Sequence, residues 1–501
     1  MLKTNPFNTN NSKVNWKYNH SFVFILFSII IFVFHIVTLQ RSPLPWFDEV
    51  FFANMTKSLQ SSGKLYLPMS TGQYEGEEIL HYGPIYFYTQ AFITKWLGFG
   101  LLQFRTLNFL SGVGILVIMI QIARKLFISP TLVCFLFLFL IFDPAISSNM
   151  HSGRMDALAM FLFLLGFYFY FVSSKSLKSS IFASLLFSFS ILTTPRIGFL
   201  FLVLPVKMFY DYLFTRCSFN YLIKTHVLVY IIIFTSFLCW IFFKIGSIND
   251  YILLFSQNST FETLYTLFHL PPIYQLPAFI YFCFLFIYLL VNLLFKKDIV
   301  FDKKIDKSLV VSIIIMPFIY IVFIKGGYTI YLMPFLYLAI LNFINFLQKS
   351  NISIKIHSII LSVLLAINVF LFLYKSIILI SSWNSRNSEL FSSFFFQKRI
   401  FNENILASHQ FFYQVQKNNN FISNDDNRSI DFKKADSLNL TKAFIAKNKY
   451  AKDSLFFNSL GYKVVDSLIT PKEQTLFVED LIGRFKLDII QDYDCYYLIR
   501  K

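Results

Sequence analysis

From about residue 20 to residue 380, apolar residues run in long blocks separated by short polar stretches. A block of roughly 17–25 residues can cross a hydrocarbon layer of about 30 Å as a helix. The pattern predicts about eleven such helices, near 21–39, 106–123, 131–148, 157–173, 179–194, 197–214, 226–245, 275–295, 308–324, 329–347 and 356–380. Two longer segments break the rhythm. In the first, about 40–105, Phe52, Met55 and Leu59 recur at helical spacing after Ser42-Pro-Leu-Pro-Trp-Phe-Asp-Glu. This predicts an amphipathic helix lying along the membrane surface. The second is the tail, 381–501, where Asn, Ser, Lys and Asp become frequent. Tyr462-Lys-Val-Val-Asp-Ser-Leu-Ile, Leu487-Asp-Ile-Ile and Cys495-Tyr-Tyr-Leu-Ile-Arg keep apolar patterning there, which predicts a small α/β domain. A loosely ordered tail is the alternative. The expected architecture is an all-α polytopic membrane domain over 1–380, with amphipathic juxtamembrane helices in its first outer loop, and a small domain over 381–501.

Composition supports this class. The chain has 501 residues, 56% of them hydrophobic and 14% charged, against about 25% charged in ordinary globular domains. The 66 Phe and 28 Tyr suit lipid-facing surfaces and interfacial belts. A net charge of +17 would by itself suit nucleic acid, but its distribution does not. Basic residues gather in alternate loops: Arg124 and Lys125; Lys175 and Lys178; Arg216 and Lys224; Lys296, Lys297, Lys303, Lys304 and Lys307; Lys349 and Lys355. The intervening short loops hold Arg154, Arg196 and Lys325, with Lys244 near an edge. That is the positive-inside pattern. It places the N-terminus in the cytoplasm, and the 40–105 loop and the tail outside. The first block follows Lys3, Lys13 and Lys17 and precedes no small-residue cleavage site, so it reads as a retained anchor. The five cysteines form neither a CxxC nor a Cys/His cluster, and a bacterial inner (plasma) membrane is expected.

Candidate chemistry concentrates on the outer side. Asp48 and Glu49 open the predicted surface helix. Carboxylates there can complement the helix dipole. Alternatively, Asp48 is a base that takes a proton from an acceptor as a bond forms. Further along the loop, Glu78 and His81 lie three residues apart. They read as a solvated acidic loop or as two ligands of a divalent metal, the only cofactor considered. His81 and Tyr82 precede a Gly83-Pro84 turn, with Tyr86 and Tyr88 after it. Arg154 and Asp156 stand where a hydrophobic helix begins; such groups are costly in a bilayer and are usually paired or functional. The alternative is a helix cap with Arg154 reaching to water. An arginine fork suits a phosphate. Arg196, Lys325 and Tyr328 lie in further outer turns. Cations facing a base are what an anionic lipid-phosphate donor needs.

In order, the chain carries an acidic pair opening a long first outer loop, then His81-Tyr-Gly-Pro-Ile-Tyr and Arg105-Thr-Leu-Asn-Phe-Leu-Ser-Gly. Ser152-Gly-Arg-Met-Asp-Ala-Leu, Leu192-Thr-Thr-Pro and Tyr328-Thr-Ile-Tyr-Leu-Met-Pro follow. This series resembles the GT-C superfamily of membrane glycosyltransferases over about residues 20–345. Within it, the chain is most similar to the branch holding protein O-mannosyltransferases and the bacterial aminoarabinose transferase of lipid A. The resemblance implies a GT-C fold, a dolichyl- or undecaprenyl-phosphate sugar donor, inversion at the anomeric centre and action at the outer face. It places the catalytic acidic position on Asp48 and the second acidic position on Asp156. Substrate contacts fall on Glu49, His81, Tyr82, Arg154, Asp156, Arg196, Lys325 and Tyr328. The lipid A transferases carry Lys-Pro-Pro where this chain has Tyr82-Gly83-Pro84, so other basic groups must replace that lysine. The acceptor class is a glycan, a lipid-linked molecule or a protein.

Two rivals differ in class. A transporter or flippase of lipid-linked sugars would favour charges deep in the spans; within the apolar runs, His35 is the clearest polar residue. A glycan polymerase or ligase would favour arginines in a late outer loop, and 246–274 holds none.

Overall fold

The structure, a computed structural model, describes residues 18–69, 76–126, 130–172, 176–215, 218–258, 307–323, 329–349, 354–423, 438, 440–469 and 493–500. It is mostly helical. The helices are α1 (Tyr18–Thr38), α2 (Phe47–Ser62), α3 (Pro84–Leu97), α4 (Leu101–Leu126), α5 (Pro130–Phe142), α6 (Pro144–Met150), α7 (Asp156–Phe167), α8 (Leu177–Ile191) and α9 (Val203–Thr215). Then come α10 (Phe219–Leu222), α11 (Leu228–Trp240), α12 (Ile248–Asn258), α13 (Lys307–Phe323), α14 (Met333–Lys349) and α15 (Ile354–Ser381). The tail adds α16 (Ser388–Gln397), α17 (Phe412–Val415) and α18 (Lys447–Ser459).

Three continuous helical stretches among the described residues are long and apolar enough to cross a membrane: Leu101–Leu126, Phe219–Ile245 and Leu361–Ile380. Helices α5 and α6 form a fourth stretch, bent by 58°. The single span expected over 131–148 is therefore broken. Asp143 causes the break: its Oδ1 accepts the Ala145 and Ile146 N–H groups and caps α6, while Pro144 starts the new helix. Tyr337 donates to the other oxygen at 2.6 Å, so the buried carboxylate is satisfied. The spans expected near 197–214 and 226–245 also carry 3-10 or π segments, at Pro195–Leu202, Ile223–Val227 and Ile241–Ile245. The span expected over 275–295 lies outside the described residues.

The expected surface helix is α2. It ends at Gly63, which has φ 73° and donates its N–H to Leu59. Almost its whole circumference is buried, Val50 through Thr56 included. This differs from a helix lying on lipid with one face in water. The cover comes from α3, α4 and the tail, whose apolar side chains form one core with Val50, Phe51 and Ala53.

The tail forms a five-stranded sheet of order β2-β1-β3-β5-β4, with β1 (Asn404–Ala407), β2 (Asn420–Ser423), β3 (Lys442–Ala446), β4 (Tyr462–Leu468) and β5 (Cys495–Arg500). The first three strands run parallel, and β5 lies antiparallel between β3 and β4. Phe47 stacks edge-on against His409 and Phe99 against Phe412, which ties the sheet domain to α2 and to the turn between α3 and α4. The stretch around Leu487 lies outside the described residues.

Candidate functional site at the start of helix α2

Asp48 and Glu49 are adjacent in sequence but point about 100° apart around the helix. Glu49 faces inward. Arg105 grips it with a two-pronged bond, Nε to Oε1 at 2.7 Å and Nη2 to Oε2 at 2.6 Å. The third arm of Arg105 donates to the Leu39 carbonyl at 2.7 Å. Both side chains are fully buried. Glu49 also accepts the Gly153 N–H at 2.9 Å. A Cβ at Gly153 would collide with the Phe104 ring and the Glu49 side chain, so this approach requires glycine.

One turn beyond Arg105, Asn108 donates to the carbonyls of Ser152 and Arg154. Residues three apart share a helix face. The Arg105-Thr-Leu-Asn sequence therefore clamps the start of helix α2 and the 151–155 loop together. That clamp sets Arg154 opposite Asp48.

Arg154 joins two carboxylates. Its Nη1 donates to Asp48, and its Nε donates to Asp156 at 2.8 Å. Tyr331 donates to the other oxygen of Asp156 at 2.6 Å. The Trp46 ring lies 5.0 Å from the guanidinium, a cation–π contact. Asp48 remains 32% exposed, whereas Asp156 is 1% exposed. The pair thus has one sealed end and one open end.

Arg196 adds a second positive charge that acts on Asp156. Its guanidinium stands 5.7 Å from the Tyr82 ring, and its charge acts on both Asp156 and His81. His81 is buried, and burial together with Arg196 lowers its pKa to about 3. It is neutral at ordinary pH. The Gly83-Pro84 turn fits against Leu192: the Leu192 carbonyl accepts the Ile85 N–H at 3.1 Å and leaves no room for a Cβ at Gly83. The Tyr82-Gly83-Pro84 and Leu192-Thr-Thr-Pro segments are thus two sides of one contact. Glu78 accepts the Leu65 N–H at 3.2 Å and serves the loop. No cluster of three His, Cys, Asp or Glu occurs among the described residues.

Of the sequence-predicted residues, Asp48, Arg154 and Asp156 meet, with Arg196, His81 and Tyr82 beside them. Glu49 is engaged by Arg105 and Gly153. Lys325 and Tyr328 lie outside the described residues.

The structure adds groups that sequence reading passed over. Trp46, Tyr331, Arg105 and Asn108 all sat in noted segments, yet nothing local distinguishes their roles. His151 is another. It pairs with His35 at 2.9 Å and with the Ser42 carbonyl at 2.8 Å, and its pKa is lowered to about 3, chiefly by burial. A cleft of about 800 Å³ opens beside the Arg154–Asp156 pair. Its walls are apolar where Phe34, Phe142 and Phe372 meet, and Lys375 and Arg386 also line it.

No family model matches this chain, and no curated protein sequence does. Solved structures do. The chain is similar to ArnT from Cupriavidus metallidurans in the apo state, with TM-score 0.58 and 13% identity over 96% of this chain and 97% of that one. It is also similar to the same protein bound to undecaprenyl phosphate, with TM-score 0.56 and 12% identity over 96% and 98%. The fold is GT-C. A lower score, 0.46 at 10% identity over 86% of this chain and 70% of that one, relates it to the oligosaccharyltransferase AglB from Archaeoglobus fulgidus. The GT-C fold accounts for the apolar helices, and the chain is a membrane protein.

Proposed function

We propose that this protein is an inverting glycosyltransferase that moves a sugar from a polyprenyl-phosphate donor to an acceptor at the outer face of the membrane. The N-terminus lies in the cytoplasm, as the distribution of Lys and Arg indicates. One observation carries the reading: Arg154, which lines a partly apolar cleft, bridges a part-exposed carboxylate, Asp48, and a buried one, Asp156. The fold similarity to a protein solved with undecaprenyl phosphate supports a lipid-phosphate donor.

In this reading the donor phosphate enters the cleft and takes the outer arm of Arg154. Arg196 and Lys325 add positive charge. Asp48, released from its ion pair, accepts the proton of the acceptor hydroxyl. The acceptor oxygen forms a bond to the anomeric carbon from the face opposite the phosphate. The bond to the phosphate breaks, and its electron pair leaves with the phosphate oxygen. Phosphate is a good leaving group held by cations, so no separate acid is required. Asp156, fixed by Tyr331, keeps Arg154 aimed. Glu49 braces the loop through Arg105 and Gly153 rather than touching substrate. His81, neutral and buried, packs Tyr82 beneath Arg196.

The test is transfer itself. Purified protein is incubated with radiolabelled undecaprenyl-phosphate sugars and candidate glycan, lipid-linked and protein acceptors. Label should move to an acceptor with inverted configuration. Label that only crosses the bilayer, still attached to its lipid, would identify a flippase instead.

A further inference from the structure

Helix α2 carries a second polar face. Asn54, Lys57, Ser58 and Ser61 recur at i, i+3, i+4 and i+7, on the side of the helix away from Asp48. Opposite them stand two loops of the tail domain, around Phe401-Asn402 and 416–420. Between helix and loops lies a cleft of about 850 Å³, the size of a small-ligand site.

Its lining is unusual in kind. Carboxamides and hydroxyls dominate, Asn402, Asn418 and Asn420 among them, and no carboxylate lines it among the described residues. Lys57 and Lys417 supply the charge. Lys57 donates to the Gln416 carbonyl at 2.8 Å, so it is held at the cleft and not free in solvent. Asn54 is 1% exposed. Its Oδ1 accepts the Met69 N–H at 3.1 Å, while its amide nitrogen donates to no group among the described residues.

Chemistry narrows the ligand. An apolar molecule would take water from the exposed Asn402, Lys417 and Asn418 side chains without replacing it. A nucleic acid would need many more cations than two lysines. Sugar hydroxyls both donate and accept, and carboxamides and hydroxyls match them on both counts. Two lysines, with no carboxylate among the described lining residues, favour sugars bearing an acid group. Phe401, 48% exposed at the rim, offers a flat apolar surface to a sugar ring.

We propose that this cleft is a glycan subsite that binds a run of an oligosaccharide, acidic sugars preferred, as the distal part of the acceptor or product. The assignment to acceptor or product rests on the glycosyltransferase reading; the binding itself does not. Along α2, the level of Lys57 is about 14 Å from that of Asp48 at ~1.5 Å per residue. A chain of a few sugars reaching around α2 would touch both.

The test uses the full-length protein in detergent and calorimetric titration with heptameric oligogalacturonate, maltoheptaose and monomeric galacturonic acid. The acidic heptamer should bind saturably, more tightly than maltoheptaose and at least about tenfold more tightly than the monomer. Ser61→Trp, at an exposed rim position, should fill the cleft and weaken binding by about tenfold or more with an unchanged melting curve. Asn418→Ala should weaken it less. Asp48→Asn should leave binding unaltered while transfer is lost; glycan binding by a parent protein that transfers no sugar would overturn the enzyme reading and leave the subsite standing. Equal binding to the parent and Ser61→Trp proteins would overturn the subsite, as would no saturable binding of either heptamer.

Discussion

Asp48 and Glu49 are chain neighbours of the same charge, and each meets an arginine, yet the two pairs have little else in common. Glu49 and Arg105 are sealed at 0% exposure, joined by two bonds, and closed off by a backbone carbonyl and a backbone N–H. Asp48 is part exposed and joined by one arm to Arg154, which lines a cleft and holds Asp156 with its second arm. A charge sealed without water must keep its partner in every state of the protein. A charge at a cleft can exchange its partner for a substrate. The lesson is that solvent access, rather than residue type, separates a brace from a reactive group.

Substitutions that change charge but hardly shape can break this contrast. Asp48→Asn should lower transfer by about 10²–10⁴-fold, the usual worth of a general base, while the melting midpoint barely moves. Glu49→Gln should do the reverse first. It leaves Arg105 buried and uncompensated, a loss of about 3–5 kcal/mol of stability visible as an early melt or poor recovery from the membrane. If Glu49→Gln melts like the parent and loses only activity, the brace assignment is wrong.

Tyr331→Phe sharpens the comparison inside the open site. It removes one donor from the buried end of Asp156, worth about 1.5–3 kcal/mol for a bond to a charged group. The expected outcome is roughly a tenfold loss in kcat with KM for the donor altered less. A loss confined to KM would instead place Tyr331 on the substrate.

The smallest effect concerns His81. Its pKa in the folded protein is lowered to about 3 from an ordinary 6.5, chiefly by burial, with Arg196 adding to the shift. The folded state therefore resists protonation while the unfolded chain accepts it. Stability contributed by the neutral ring is complete above pH 6.5 and falls as pH drops from there towards 3. Each pH unit in that window should remove up to about 1.4 kcal/mol. His81→Asn should flatten the dependence of the melting midpoint between pH 6 and 4. An unchanged slope would assign the acid sensitivity to other groups, such as His151, which is lowered likewise.

Much of this was legible in the residues and some was not. The helical character of the apolar blocks within the described residues, the helix after Pro45 and the strands at Tyr462 and Cys495 follow from local periodicity and appear. The break inside the 131–148 block was signalled by Asp143-Pro144 but hidden by its hydrophobicity. The near-complete burial of α2 was not legible, because part of its cover comes from a domain more than 300 residues away in sequence. The pairing of Arg154 with Asp48 joins residues 106 apart, and that of Tyr331 with Asp156 joins residues 175 apart.

By itself the chain's sequence determined its class, the helical character of its apolar blocks and the pool of charged residues near the ends of those blocks. These depend on spacing along the chain and on the cost of polar groups in lipid, both local properties. Only the tertiary structure decided which carboxylate is sealed and which is open. That depends on what packs over each side chain, and packing partners come from any distance along the chain.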